Sequence, residues 1–180
     1  MSTSYIMAIV LLLAGACLPA AAQIGAGSED IYADFGSVIT ADQLSSVLER
    51  NGYEVLNRSM GSNGHEYIDC RNPDGYIVRF ELARDMKLIL MISFWVLKDD
   101  IRSDDSGLLI SLEKANTVSW YNTYALNKDG TSLKVNSYVT LCDGMAEEDL
   151  IDLFDTQWRD MKKYYAQAGL DYYTKTGEIT

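Results

Sequence analysis

The chain has 180 residues and a net charge of −11, which is enough length for one domain with a substantial core. Nucleic acids and anionic membrane surfaces are themselves negatively charged, so this net charge disfavours both classes of partner. The acidic residues are spread along the chain, which favours a role in solubility over recognition of one basic partner.

The first 22 residues have the pattern of a secretory signal peptide. An apolar run over 6–14 is too short to span a bilayer and leads to Ala20-Ala21-Ala22, which predicts cleavage between Ala22 and Gln23. Residues 1–7 contain no Lys or Arg, so an uncleaved anchor helix is a second interpretation, and a lipid-modified Cys17 is a third. Cleavage would leave a periplasmic or secreted protein without stable membrane insertion.

Residues 23–39 contain Gly and Ser and show little periodicity, which indicates a flexible lead. Thr40 and Gln43 then have the spacing of a capping box, in which each side chain bonds the main chain of the other residue. The helix that follows has an apolar stripe with helical spacing and ends at Asn51-Gly52. This stripe needs a sheet to pack on.

Four strands are predicted next, at 53–59, 66–72, 76–83 and 87–97. The second and third are joined by Asn72-Pro73-Asp74-Gly75, where Pro fixes φ and Gly supplies a positive φ. The fourth strand is apolar throughout its middle, which predicts a central strand covered on both faces.

The second half of the chain predicts a helix, a hairpin and a long last helix. Residues 98–107 are interpreted as a solvated acidic loop, because they do not match the ligand ladder of a calcium-binding loop. Lys128-Asp129-Gly130 is a hairpin turn, and the strand after it alternates apolar and polar side chains. The last helix carries an aromatic and apolar stripe and is closed by Gly169, and 171–180 form a tail expected to fray.

The order helix, strands, helix, hairpin, helix predicts an α+β domain, with helices packed on an antiparallel sheet. In the alternating strand, Lys134, Asn136 and Tyr138 point away from the predicted core. This exposed row is the candidate binding surface, because Tyr combines a large apolar area with a polar tip. The exposed side of the last helix is a second candidate surface, and an ordinary role for Tyr138 in cross-strand packing is the alternative for that residue.

Several positions in the second half resemble the YbjN family, small bacterial proteins often called sensory transduction regulators. The matching positions are Asn116, Tyr121, Asp129-Gly130, the alternating residues Leu133, Val135 and Val139, and Gly144-Met145. Ala115 and Ala146 depart from the family pattern, which has Trp and Ser or Thr there.

The resemblance extends over roughly Thr40 to Gln167, within a domain placed at 40–170. It implies a fold similar to type III secretion chaperones and a chaperone-like or regulatory binding module. The partner that the resemblance implies is another protein, and homo-oligomers are compatible with the resemblance. The resemblance implies no catalytic residues.

Cleavage after Ala22 would leave Cys70 and Cys142 as the cysteines of an exported protein, where disulfides form readily. Both follow or end predicted strands, so a Cys70–Cys142 disulfide is one expectation and two reduced, buried thiols are the other.

The sequence offers no assembled catalytic or metal-binding set. The lone histidine, His65, lies in a predicted loop without spaced His or Cys partners and is expected to be exposed. No phosphate-binding, dinucleotide-binding or hydrolase motif is present. We therefore expect a non-enzymatic protein-binding module without a cofactor. A periplasmic small-ligand carrier is the main alternative, and an enzyme assembled only in three dimensions is a third hypothesis.

Overall fold

The computed structural model describes residues 39–83 and 87–175, and these ranges form an α+β domain, as predicted. The predicted signal peptide and nearly all of the predicted lead lie outside the described residues. The helices are α1 (Ala41–Arg50), α2 (Ser106–Val118), α3 (Glu147–Gln167) and a 3₁₀ helix (Leu170–Tyr172). The strands are β1 (Glu54–Met60), β2 (Glu66–Arg71), β3 (Ile77–Ala83), β4 (Leu88–Val96), β5 (Thr123–Leu126) and β6 (Ser132–Thr140).

The six strands form one sheet in the order β1-β2-β3-β4-β6-β5, and every neighbouring pair is antiparallel. The first four strands follow one another as a meander. The chain then crosses through α2 and returns as a hairpin, whose second strand, β6, pairs with β4. This crossover leaves β5 at one edge of the sheet and β1 at the other.

One face of the sheet forms the core with the helices. The buried side chains of α1, α2 and α3 join those of this face in a single cluster. The alternation predicted for β6 is confirmed, because Leu133, Val135 and Val139 are buried in this cluster. The apolar stripe predicted for α3 is also buried, and its Phe154 ring lies 4.8 Å from the Phe80 ring of β3, measured between centroids.

The predicted helix start and turns are confirmed. The Thr40 hydroxyl accepts from Gln43 N–H at 3.2 Å, and the Gln43 side chain accepts from Thr40 N–H at 2.9 Å. Gly75 has a φ of +89° and Gly130 has a φ of +71°, so both turns use the positive φ that glycine tolerates. Local sequence signals therefore position these boundaries correctly.

The described helices cover only one face of β4, where the sequence predicts cover on both. Ile89 and Met91 are buried in the core, whereas Leu88, Leu90 and Phe94 on the opposite face are only partly buried. An apolar run indicates that a strand is central in its sheet. It does not indicate whether helices pack on both faces, because neighbouring strands also remove apolar side chains from water.

Residues 171–175, the first half of the predicted fraying tail, pair with the chain that follows β4. Thr174 is buried and forms an isolated bridge with Leu97, and Lys175 N–H donates to Val96 O at 2.9 Å. Main-chain pairing of this kind leaves no periodic pattern in the sequence. The sequence therefore predicts a fraying tail where the structure has a paired segment.

The expected Cys70–Cys142 disulfide does not form in this fold, since the two sulfurs are not bonded to each other. Cys70 is in β2 and Cys142 follows β6, with β3 and β4 between them. Three strand spacings amount to about 14 Å, about twice the Cα separation that a disulfide spans. The other expectation is two reduced, buried thiols; Cys70 is buried, whereas Cys142 is only partly buried. Burial in the core raises the pKa of the Cys70 thiol to about 12.

Candidate binding surface on the sheet

The face of the sheet that points away from the three helices, called the outer face below, carries an apolar row along β4. In a strand, alternate side chains share a face, so the even-numbered residues of β4 lie together opposite the core. Ile92 is buried between its neighbours, and the other members are partly exposed. The row consists of Leu88, Leu90, Ile92, Phe94 and Val96.

The predicted binding residues lie directly beside this row. The antiparallel register places Lys134 opposite Phe94, Asn136 opposite Ile92, and Tyr138 opposite Leu90. Tyr138 is 64% exposed, whereas Lys134 and Asn136 are partly buried. The three residues share the outer face, in agreement with the alternation in the sequence. Their role in binding stays a prediction.

A cleft of about 230 Å³ opens on the outer face between the apolar row and β1. A bulge in β1 between Val55 and Asn57 turns Leu56 toward this cleft, and Leu56 remains 40% exposed. The apolar wall is completed by Ile77, Ile92 and Phe94. Sequence analysis missed this cleft, because the bulge shifts Leu56 away from the strict alternation of a strand.

An ion pair forms the polar side of the cleft. Arg79 donates from Nε to Asp69 Oδ1 at 2.6 Å and from Nη2 to Asp69 Oδ2 at 3.0 Å. The hydrogen bond to Asp69 raises the pKa of Arg79. The Arg79 guanidinium also lies 5.5 Å from the centroid of the Tyr67 ring. Two of the guanidinium nitrogens are thus occupied, and the pair neutralises its own charge.

The outer face is close to neutral in a chain with a net charge of −11. Its carboxylates have partners within the same part of the chain, Glu54 with Arg71, Asp69 with Arg79, and Glu81 with His65. Lys134 makes no ion pair with any residue in the described ranges. The face therefore combines a central apolar row with one unpaired cation.

His65 lies in a loop, as the sequence predicts, but it is paired and only partly exposed. Its Nδ1 lies 2.6 Å from Glu81 Oε1, and its side chain is 34% exposed. Tyr67 OH lies 3.3 Å from the same carboxylate oxygen, so Glu81 receives both side chains. The pairing joins the loop before β2 to β3. The antiparallel register of β2 and β3, and not the composition of the loop, brings the two residues together.

The described residues assemble no group of side chains suited to a metal ion. No group of three or more His, Cys, Asp or Glu side chains in these ranges is arranged to hold a metal ion. Hydrogen bonds from Lys162 and Trp158 lower the pKa of Asp74, and a hydrogen bond from Arg50 lowers the pKa of Glu147. Lowered values are the opposite of what a carboxylic acid needs to donate a proton near neutral pH.

Asn116, one of the positions at which the sequence resembles the YbjN family, has a structural role. Its side-chain amide donates to Tyr124 O at 2.8 Å and its side-chain oxygen accepts from Tyr124 N–H at 2.8 Å. One carboxamide thus completes both main-chain groups of a residue in edge strand β5. This pairing explains why an amide is suited to that helix position without assigning it to a binding site.

Comparisons with known proteins identify the fold. No protein-family model and no curated protein matches the sequence. The solved structure of YbjN from E. coli, "a putative transcription regulator", matches with a TM-score of 0.58 and 16% identity, covering 77% of this chain and 98% of that one. An uncharacterised protein from Methanothermobacter thermautotrophicus matches with a TM-score of 0.54 and 10% identity, covering 72% and 96%. The chain therefore has a YbjN-like α+β fold.

Proposed function

We propose that this protein is a non-enzymatic module that binds another protein through its outer face, and that it acts outside the cytoplasm. The observation that carries the proposal is the apolar row on β4, which no described helix covers and which lies beside Tyr138 and Lys134. Partly exposed apolar side chains that adjoin an exposed aromatic and polar groups are found at protein-binding surfaces. The location rests on the signal-peptide pattern of the first 22 residues.

The fold comparisons support a binding or regulatory role in general terms. One neighbour is called a putative regulator and the other is uncharacterised, so neither indicates an enzyme family. The ion pairs are compatible with the same conclusion, since Asp69, Asp74 and Glu147 each bind a cationic side chain of the protein itself. A chaperone-like action on the partner is part of the proposal and follows from the resemblance to the YbjN family.

A small-ligand carrier is less well supported. Such a protein needs an enclosed apolar cavity, and small-molecule sites usually have volumes of about 300–1,000 Å³. Three clefts, beside Leu56, beside Tyr76 and beside Met60, measure about 230, 230 and 300 Å³, and all three are open to solvent. These dimensions suit one side chain of a protein partner better than a whole ligand.

The test begins with capture of partners from a periplasmic extract on immobilised residues 23–180. A captured protein would be identified, purified and titrated against outer-face variants. Tyr138→Ala removes a large contact area and Lys134→Glu reverses the unpaired charge, so each should weaken binding about tenfold. Together they should reduce it further, because both contacts are on one face.

Two matched controls separate this surface from general effects. Tyr172→Ala removes a tyrosine that is 69% exposed away from the outer face, and Lys114→Glu reverses an exposed charge on α2. Both should bind like the unmodified protein. Equal affinity of all four folded variants would exclude the outer face, and substrate turnover abolished by a single carboxylate change would exclude the non-enzymatic role.

A further inference from the structure

One strand of the sheet, β6, is incompletely paired along one side. β6 pairs with β4 along its whole length, from Ser132 to Thr140. Its other side pairs with β5 only from Leu133 to Asn136. The last four residues of β6 therefore have a strand neighbour on one side alone.

The hydrogen-bond parity identifies the main-chain groups on this open side. Asn127 N–H donates to Ser132 O at 2.9 Å, so the even-numbered residues of β6 point their main-chain groups toward β5. Leu141 N–H donates to Lys87 O at 2.9 Å, so the odd-numbered residues point toward β4. Tyr138 and Thr140 consequently direct their N–H and C=O groups to the open side.

Most of this open side lacks a partner. Gln157 Nε2 donates to Tyr138 O at 3.0 Å and so satisfies one group. Tyr138 N–H and both main-chain groups of Thr140 make no hydrogen bond to a residue of the described ranges. An unpaired row with strand spacing is a template for another strand. We call this segment, residues 137–140 of β6, the open edge.

The two outermost edges of the sheet are partly protected. Asn116 binds both outward groups of Tyr124 in β5. β1 carries a bulge and the charged side chains Glu54 and Arg58, features that interrupt pairing with another strand. The open edge has neither a bulge nor a charged side chain, so it differs from both.

The reason for the open edge is local. Asn122, just before β5, donates from its side-chain amide to Gln157 O at 3.0 Å and to Asp160 Oδ2 at 2.8 Å. These bonds hold the chain away from the line that β5 would follow to reach Tyr138. They also leave Trp120 and Tyr121, the two residues before Asn122, 84% and 49% exposed.

We infer that the open edge binds an extended segment of a partner protein, which adds a short strand to β6 in line with β5. This inference rests on the proposed function, because it supplies the geometry by which the partner is held. Main-chain groups of an extended segment match the spacing of Tyr138 N–H and Thr140 N–H and C=O. The Tyr138 side chain projects onto the outer face from the same residue, so one partner segment would contact both surfaces.

The test uses a synthetic strand and does not require the natural partner. The probe is the capped peptide acetyl-Lys-Thr-Val-Thr-Val-Lys-amide, and its fully N-methylated form is the control that lacks main-chain donors. Binding to residues 23–180 is followed by amide chemical shifts and hydrogen exchange. We expect the amides of Tyr138 and Thr140 to shift and their exchange to slow, with no effect of the N-methylated peptide.

Thr140 provides a matched pair of variants. Thr140→Pro removes an N–H that faces the open side without touching the β4 pairing, and proline is tolerated at such edge positions. Thr140→Val keeps the N–H and the branched side chain shape. Circular dichroism first establishes that both variants are folded. Thr140→Pro should weaken peptide binding about tenfold, and Thr140→Val should leave it within about twofold.

Several results would overturn the inference. These are no peptide binding, equal binding of the N-methylated peptide, shifts confined to the amides of β1, or unchanged affinity of Thr140→Pro. Self-association of the protein that Thr140→Pro abolishes would make a second copy the occupant and would also overturn it. Failure of the proposed function is distinct, because it concerns the natural partner and the Lys134 and Tyr138 side chains, whereas the peptide reports on the main chain of β6.

Discussion

At the scale of single residues, one side chain often completes the hydrogen bonding of a strand. Asn116 satisfies both main-chain groups of Tyr124, and Gln157 satisfies Tyr138 O while accepting from the Ser137 hydroxyl at 2.8 Å. Carboxamides suit this role because they carry a donor and an acceptor with the spacing of the main chain. Helical residues can therefore act as substitutes for a missing strand.

Replacing Asn116 tests this role. Asn116→Ala leaves Tyr124 N–H and C=O without their partners, and alanine's better helix propensity offsets part of the loss. We expect the free energy of unfolding in urea to fall by about 1 kcal/mol. Lys114→Ala, on the exposed side of the same helix, should change it by less than about 0.5 kcal/mol. Equal stability of the two variants would show that the Asn116 hydrogen bonds to Tyr124 do not stabilise the fold.

At the scale of elements, the turn between β2 and β3 is tied to α3. Asp74 Oδ2 accepts from Trp158 Nε1 at 2.9 Å and from Lys162 Nζ at 2.8 Å. Lys162 also lies 5.7 Å from the centroid of the Tyr76 ring. The sequence indicates the turn and the helix separately, but the contact between them connects residues that are more than 80 positions apart.

Two substitutions of Asp74 separate charge from hydrogen bonding. Asp74→Asn keeps an acceptor for Trp158 and should cost about 0.5 kcal/mol of unfolding free energy, since the ion pair with Lys162 is half-exposed. Asp74→Ala loses both bonds and should cost about 1.5 kcal/mol. Urea unfolding at neutral pH measures both values, and an equal cost would show that Trp158 gains nothing from the acceptor.

The same pair predicts a pH dependence. The Lys162 and Trp158 hydrogen bonds lower the pKa of Asp74 from its ordinary value of 3.8, so the folded state binds this proton less readily than the unfolded state. The stabilisation from ionised Asp74 is present above that value and is lost as the pH falls through the lowered pKa. The stability difference between the unmodified protein and Asp74→Asn should thus shrink from about pH 5 downward. A constant difference across this range would contradict the assignment.

At the scale of the whole molecule, the outer face differs in charge balance from the acidic chain as a whole. The chain has a net charge of −11, yet the outer face pairs its carboxylates internally and keeps Lys134 unpaired. An anionic partner approaching this face meets less repulsion than one approaching elsewhere. No helix in the described ranges is long and apolar enough to cross a membrane.

Export is the prediction that belongs to this scale. The protein isolated from its native host should begin at Gln23, because the Ala20-Ala21-Ala22 site follows a short apolar run. N-terminal sequencing and intact mass measure this directly. Retention of Met1 would indicate an uncleaved anchor, and a mass increase with a start at Cys17 would indicate a lipid-modified protein. Ala22→Leu serves as the matched variant and should block cleavage by removing the small residue that the site requires.

The sequence by itself determined the α+β class, the element order, the capping box at Thr40, the glycine turns, and the two faces of β6. These features depend on residues close together in the chain, where main-chain conformation and side-chain alternation act directly. The YbjN resemblance also follows from local positions, and the fold comparison agrees with it.

Only the tertiary structure decided which surfaces are free and which groups meet. The uncovered face of β4, the separation of Cys70 from Cys142, the pairing of His65 with Glu81, and the open edge of β6 all depend on strand order and register. Strand order is fixed by how the helices and the hairpin pack together. That packing depends on many weak contacts between residues that are distant in the sequence. It therefore cannot be predicted from any short stretch of the sequence.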